Sequence, residues 1–309
     1  MKTKSKKTLI TAALLVAFTI SALAEEVEAP KEKAAPPPLP FHTIEGYGGG
    51  AITPIAYLVN PSPDADQVFG LPSASYSYVN AGKKSLQAFA LTETLWGRLE
   101  LGYAYNRFGV GTLDDDILDA TGIDIERGHV GLHNLNLRVL LLNESETLPA
   151  ITAGIHYKKN EGIEDIDAKL GGALSSIGLD DDRGLDFTLT ASKLFTPAGK
   201  PLIVSAGLRS SEASHIGLLG FSDDRELTFE GNVVWIPTSW LLLAYEYRQK
   251  SDSYDRIPGL VGREDDWHAI DVSWLINSHA TLVAGWGRLG TLANTKENDA
   301  WYLQLKYEL

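Results

Sequence analysis

Alternation of apolar and polar side chains is the feature that most restricts how this chain can fold. From Ser73 to the C-terminus, segments of about 9–11 residues repeat a period of two, which is the period of a β-strand with two different faces. In RLELGYAYNRF, which begins at Arg98, leucines and tyrosines share one face, and charged, small and amide residues share the other. A strand of this length crosses a bilayer when it is tilted.

The alternating segments can be counted, and their spacing indicates the topology. Short and long connections take turns after a short first hairpin, as periplasmic turns and external loops do in outer-membrane barrels. We predict an all-β fold, a transmembrane antiparallel up-and-down β-barrel of about twelve strands. The segments are 73–80, 86–95, 98–108, 130–142, 149–158, 185–195, 201–209, 225–236, 240–249, 266–276, 280–289 and 298–309.

The C-terminal segment WYLQLKYEL supports a bacterial outer-membrane barrel. Its aromatic and leucine residues alternate with Gln304, Lys306 and Glu308. This pattern resembles the terminal strand that the outer-membrane assembly machinery recognises, although Leu309 stands where Phe is usual. We therefore expect that machinery to be a partner.

The N-terminal residues predict export. A basic start, an apolar run from Leu9 to Ile20 and the small-x-small sequence at Ala22–Ala24 are typical of a secretory signal cleaved before Glu25. The predicted organisation is 1–24 signal peptide, 25–40 Ala/Pro-rich periplasmic linker, 41–72 Gly-rich segment and 73–309 barrel. The predicted location is the Gram-negative outer membrane.

The Gly-rich segment contains FHTIEGYGGGAITPIAYLV, in which Gly46, Gly48, Gly49 and Gly50 allow tight turns and close approach to another surface. It lacks the Lys-Ser/Thr end of a phosphate loop, so nucleotide binding is not expected. Two alternatives stay open: the segment plugs the barrel from within, or it caps the barrel in the periplasm.

Three stretches carry a family resemblance. TIEGYGGGAITPIAYLV, ELGYAYNRF and LHNLNLRVLLLNE resemble the uncharacterised proteobacterial domain-of-unknown-function family 3034. The resemblance covers most of the chain after the leader. It implies an outer-membrane barrel and transfers no activity or functional residue.

The charge balance excludes one class of partner. The formal net charge is −13, and loss of the four leader lysines makes it −17, so binding of nucleic acid through a basic surface is not expected. The acids cluster in predicted loops and lack the spacing of a calcium loop, so neither a metal site nor a cofactor is predicted. Outer-membrane lipid and lipopolysaccharide are the expected surroundings.

Charged and amide residues on the polar faces are the candidate functional set. They either line a pore for small polar solutes or pair with one another and fill a closed barrel. The candidates are Arg98, Glu100, Asn106, Arg138, Lys158, Asp186, Glu230, Glu246, Arg248, Asp271 and Lys306.

The sequence favours a porin-like channel for passive diffusion of small polar solutes and does not favour an enzyme. A closed structural or partner-docking barrel is the alternative. A remote alternative, an outer-membrane protease, rests on Asp266 and His268 near one predicted strand end and on Asp114 and Asp116 in a loop. A predicted helix between Lys159 and Gly184 either folds inward and narrows the barrel or forms a lid on its outer rim.

Overall fold

The computed structural model describes residues 42–62, 64 and 66–309. The predicted signal peptide, its cleavage before Glu25 and the linker at 25–40 lie outside these residues. Within the described part of the chain, no helix is long and apolar enough to cross a membrane.

The strands make up most of the structure. Twelve long strands form the barrel, and three short ones, β6, β13 and β14, belong to its connections. The strands are β1 (Ser73–Ala81), β2 (Lys84–Leu95), β3 (Leu99–Gly109), β4 (His129–Leu142), β5 (Ala150–Glu161), β6 (Leu179–Asp181), β7 (Arg183–Phe195), β8 (Leu202–Ala213), β9 (Phe221–Thr238), β10 (Leu241–Arg248), β11 (Trp267–Leu275), β12 (Ala280–Arg288), β13 (Gly290–Leu292), β14 (Thr295–Glu297) and β15 (Ala300–Glu308).

The barrel is closed by its last strand. All neighbouring strands are antiparallel, and β15 pairs with β12 on one side and with β1 on the other, so that Leu305 stands opposite both Leu282 and Tyr76. Closure leaves no free sheet edge, which is what a sheet in lipid requires. The predicted fold class, a twelve-stranded antiparallel barrel, is confirmed.

The predicted faces agree with the burial of the side chains. In β4, Leu135 and Leu137 are 53% and 38% exposed on the outer surface, whereas Asn136 and Arg138 between them are buried. Leu137 stands beside Leu101 of β3 and Ile155 of β5 in the register, so the three form an apolar outer patch. Lipid solvates this patch, while the interior must satisfy the polar groups by itself.

The two ends of the barrel differ in the length of their connections. One end has the short connections 96–98, 143–149, 196–201, 239–240 and 276–279, together with the start of β1 and the end of β15. The other end has the tight turn 82–83 and the long connections 110–128, 162–182, 214–220, 249–266 and 289–299. Short turns mark the periplasmic end in outer-membrane barrels, so we refer to the other end as the outer end.

Long connections at the outer end pack together as a lid. The region between β5 and β6 contains two short helices, Ile163–Lys169 and Ala173–Ser176, where the sequence suggested one, because Gly171 and Gly172 between them adopt positive φ. Their apolar side chains face the helix Leu113–Thr121 and residues 257–261 around a cavity of about 40 Å³. The lid alternative therefore describes this connection, and the inward constricting helix does not.

Candidate functional site

The barrel interior is occupied by the chain's own N-terminal residues. Every residue from His42 to Val59 is buried, and we call this stretch the lumenal segment. Of the two alternatives for the Gly-rich residues, a plug inside the barrel and a cap in the periplasm, residues 42–59 form the plug. The segment has little regular structure, with isolated bridges only between His42 and Gly48 and between Gly49 and Pro54. Buried backbone groups without a ladder need other hydrogen-bond partners, and here the barrel wall supplies many of them.

Glycine allows the segment to lie directly against the wall. A Cβ atom on Gly46, which has φ of 84°, would lie 2.7 Å from Cβ of Ala104 in β3. A Cβ atom on Gly50 would lie 2.2 Å from a carboxylate oxygen of Glu246 in β10. Neither position has room for a side chain, so the Gly-rich composition follows from close approach.

A buried ionic network surrounds Glu45 of the segment. Its carboxylate contacts Lys158 of β5 and Arg248 of β10 and lies 3.7 Å from a guanidinium nitrogen of Arg209 in β8. The Tyr47 hydroxyl donates to the same carboxylate at 2.8 Å. Since Glu45 faces three cations, it is the charge that attaches the segment to the wall.

Two wall acids complete the network. Asp186 of β7 accepts from Lys158 at 2.8 Å and from Arg209 at 3.0 Å, and Glu230 of β9 accepts from Arg209 at 3.1 Å. All these groups are at most 3% exposed. Buried charges are tolerated when they are paired and hydrogen-bonded, and this network satisfies both conditions.

Glu246 of β10 binds residues 51–53 of the lumenal segment, and here the charged group belongs to the wall. Its carboxylate accepts backbone N–H groups from Ala51 at 2.6 Å, Ile52 at 3.2 Å and Thr53 at 2.8 Å, and also the Thr53 hydroxyl. Successive N–H groups that converge on one carboxylate form an anion-binding nest. In this contact the wall provides the charge and the segment provides the backbone dipoles.

The ion pair between Arg138 of β4 and Glu100 of β3 also holds backbone groups of the lumenal segment. Arg138 donates to Glu100 at 2.8 Å, to the Gly48 carbonyl at 3.0 Å and to the Ile55 carbonyl. Glu100 also accepts from the backbone N–H of Gly48 at 3.0 Å and of Val59 at 2.7 Å. Breaking this pair would therefore also release segment backbone.

His42 anchors the start of the segment. Its ring nitrogens lie 3.0 Å from the Ser75 hydroxyl and 2.8 Å from the Thr92 hydroxyl. Its backbone is held by Gln304 of β15, whose amide accepts from the N–H at 3.2 Å and donates to the carbonyl at 2.8 Å. These contacts join residues 262 positions apart in sequence.

The connection between β8 and β9 turns inward above the segment. Residues 213–220 are buried, and we call them the outer loop. Lys158 donates to the Ile216 carbonyl at 3.1 Å, and Asn160 donates to the carbonyls of Gly217 and Leu218 at 2.8 and 3.0 Å. His215 and Ile216 have φ of 48° and 60°, a left-handed backbone that is strained for a β-branched residue such as isoleucine.

His215 is a buried titratable group of the outer loop. Its Nε2 lies 3.1 Å from the backbone nitrogen of Ala293, from which a neutral ring accepts, and 3.3 Å from the Thr291 carbonyl, to which a protonated nitrogen donates. Burial lowers the pKa of His215 below its ordinary value of about 6.5, and the nearby Lys250 acts in the same direction while Glu264 opposes it. Because the ordinary pKa applies once the ring leaves the interior, the inward loop has its full stability above about pH 6.5 and loses stability as the pH falls below this value.

We expect acidification from about pH 7.5 to about pH 5 to loosen the outer loop. Hydrogen–deuterium exchange of residues 213–220, corrected for intrinsic rates, should accelerate, while the turn 143–149 serves as an internal reference. The acceleration should be absent in His215→Gln. Equal exchange at both pH values in the unmodified protein would contradict a role for this ring.

Sequence comparison assigns the family. The profile of a family described as protein of unknown function (DUF3034) matches residues 40–306. The chain belongs to this family. The match covers the lumenal segment as well as the barrel. No curated protein matches the chain.

Solved structures with a similar chain path are outer-membrane barrels. The NanC porin is 10% identical over 77% of this chain and 100% of its own, with a TM-score of 0.49. The KdgM porin is 10% identical over 77% of this chain and 99% of its own, with a TM-score of 0.48. The outer membrane phospholipase of Salmonella typhi is 10% identical over 77% and 90%, with a TM-score of 0.37. At these values no activity and no residue role is transferred to this DUF3034 member.

The sequence-derived candidates lie inside the barrel with one exception. Arg98 is exposed in the turn 96–98, because β3 begins one residue later, and it is therefore not part of the interior. The others are buried, namely Glu100, Asn106, Arg138, Lys158, Asp186, Glu230, Glu246, Arg248, Asp271 and Lys306. The residues behind the protease alternative, Asp266 and His268, are not part of this buried set. Asp266 accepts from the Tyr247 hydroxyl at 2.7 Å, and His268 lies 2.8 Å from the hydroxyl of Tyr245.

Several residues that hold the interior together are absent from the sequence-derived set. Arg209 could have been found, because it follows Ser205 and Gly207 in phase on the polar face of β8. Glu45, Tyr47 and His42 could not, because a segment without periodicity carries no information about which side chains it will meet.

Proposed function

We propose that this protein is an outer-membrane channel for small polar solutes that the lumenal segment holds closed until it is displaced. The observation that carries the proposal is the composition of the wall behind the segment. A wall of charged and amide side chains can be hydrated once the segment leaves, as the interior of a water-filled barrel is.

The wall carries charges of both signs. Its buried cations include Arg138, Lys158, Arg209, Arg248 and Lys306, and its buried acids include Glu100, Asp186, Glu230, Glu246 and Asp271. When the segment leaves, this part of the interior loses the single charge of Glu45. An interior with mixed charges selects weakly, whereas the acidic outer connections attract cations, so we expect a modest preference for cations.

A permanent filling does not require this chemistry. Buried ion pairs contribute little net stability compared with apolar packing of the same volume, so charge is an inefficient means of closing a barrel for good. Polar contacts between segment and wall can, however, be exchanged for water. The network around Glu45 and the nest around Glu246 are contacts of this kind.

A closed structural barrel is the second candidate. It is favoured by the number of hydrogen bonds that hold the segment and by the lid with its own apolar core. The two candidates differ in one measurable property, which is whether removal of the segment produces ionic conductance.

Planar bilayer recording of the full chain and of a variant lacking residues 42–59 tests the proposal. We expect the full chain to stay closed with brief openings, and the deletion variant to give steady, salt-dependent conductance. A synthetic peptide of residues 42–59, added on the periplasmic side, should reduce that conductance. If the deletion variant assembles, as judged by heat-modifiable migration, and remains silent, the closed barrel is supported instead.

A further inference from the structure

An apolar cavity lies between the lumenal segment and the outer loop. Its volume is about 60 Å³, and its surface is apolar. Ile44 and Ile52 of the segment lie on one side and Ile216 and Leu218 of the outer loop on another, and Trp267 of β11 forms part of the wall. The strands also contribute Ala81, Leu86 and Phe108, all near the outer end.

This lining differs from the rest of the interior. Around Glu45 and Glu246 the wall is charged, whereas the atoms that face this cavity are apolar, although Ser85 and His215 also belong to its lining. A small apolar cavity excludes water and binds apolar atoms, because its lining atoms lack van der Waals partners on one side. The chemistry that fits the cavity is therefore a small apolar molecule.

The outer loop gives this cavity a movable side. Ile216, which borders it, has a left-handed backbone, and its carbonyl accepts a hydrogen bond from Lys158 of β5. Because this conformation is strained, displacement of the loop releases strain energy, and this offsets part of the free energy that the displacement requires. The cavity is smaller than the cavity of roughly 150 Å³ that admits benzene, so a ring requires this displacement.

Lys158 connects the cavity to the closed state of the barrel. Its ammonium group bonds both the Ile216 carbonyl of the outer loop and the Glu45 carboxylate of the lumenal segment. A molecule that displaces Ile216 therefore removes one partner of the cation that fixes Glu45. The two inward-folded parts of the chain share this contact.

We propose that the cavity is a binding site for a small apolar molecule, of the size of one aromatic ring, which enters from the outer end by displacing the outer loop. Binding at this site goes beyond the proposed conduction of polar solutes and does not require that the barrel conduct. The proposed ligand binds in the outer half of the barrel, whereas the proposed conduction of polar solutes depends on the charged wall around Glu45 and Glu246.

Bromobenzene, a heavy-atom quencher, tests the proposal on the full chain in detergent micelles. The quenching of Trp267 is obtained as the difference between the unmodified protein and Trp267→Phe. We expect this difference to saturate with bromobenzene concentration. Ala269→Leu, which fills the cavity, should weaken binding about tenfold or more, whereas Ala284→Leu on the lipid-facing side should not.

Quenching that rises without saturation and is equal in Ala269→Leu would show partition into detergent only and would overturn the proposal. Ala81→Leu, at another point of the lining, replaces Ala269→Leu if that variant does not assemble. The measurement uses no current, so a silent barrel that binds bromobenzene would refute the channel and leave the site intact. A conducting barrel that does not bind bromobenzene would refute the binding site and leave the channel proposal intact.

Discussion

Replacement of Glu45 by glutamine is expected to open the barrel without deleting any residue. Glu45 is fully buried against Lys158, Arg209 and Arg248, and glutamine keeps its shape while removing its charge. Loss of one partner from a buried ionic network costs about 3–5 kcal/mol, because the remaining charges stay buried without compensation. Displacement of the segment lets water reach those cations, so the cost falls on the closed state.

The expected result is a shift of the closed-to-open equilibrium by about two to three and a half powers of ten, since about 1.4 kcal/mol corresponds to a factor of ten. Single-channel recording would show it as a rise in open probability. Glu164→Gln is the matched control, because it makes the same chemical change on an exposed residue of the lid. An open probability that changes equally in both variants would show that Glu45 does not hold the segment.

The strands could be predicted because their pattern is local. In a barrel between lipid and a polar interior, each residue faces one of two surroundings, and the alternation along a strand records which one. That is why Leu137 and Arg138 are placed correctly from the sequence. Arg98 shows the limit of this reasoning, because its phase predicts the interior while its position lies beyond the strand end.

The interior contacts could not be predicted, because their partners are far apart in sequence. His42 meets Gln304, and Glu45 meets Arg248 203 positions away. No local pattern in the lumenal segment records these pairings, and its glycines indicate only that some surface comes close. The apolar cavity likewise forms from several separate parts of the chain, so it can be recognised only when the segment and the outer loop are in place.

Adjacent substitutions in β4 should have opposite consequences. Leu137→Arg places a charge against lipid near the middle of the strand, which costs about 2–4 kcal/mol at the bilayer midplane. Urea unfolding in liposomes should show this loss, and less protein should reach the heat-modifiable folded form. Leu137→Ala, which shortens the side chain without adding charge, is the control.

Arg138→Leu should leave the barrel assembled and loosen the lumenal segment instead. Arg138 is bonded to Glu100 and to the carbonyls of Gly48 and Ile55, so its removal takes away bonds between segment and wall while the strand pairing of β4 remains. A single cysteine in place of Ala56, a fully buried residue of the segment, reports the change in a chain that has no cysteine of its own. Ala56 already carries a Cβ atom, so the cysteine adds only one sulfur atom, and the variant is first compared with the unmodified chain for assembly. Position 56 should resist a water-soluble maleimide in the Arg138 background and react faster after Arg138→Leu. If Arg138→Leu abolishes assembly while Leu137→Arg is tolerated, the inner and outer faces of β4 are exchanged and the register of the barrel is wrong.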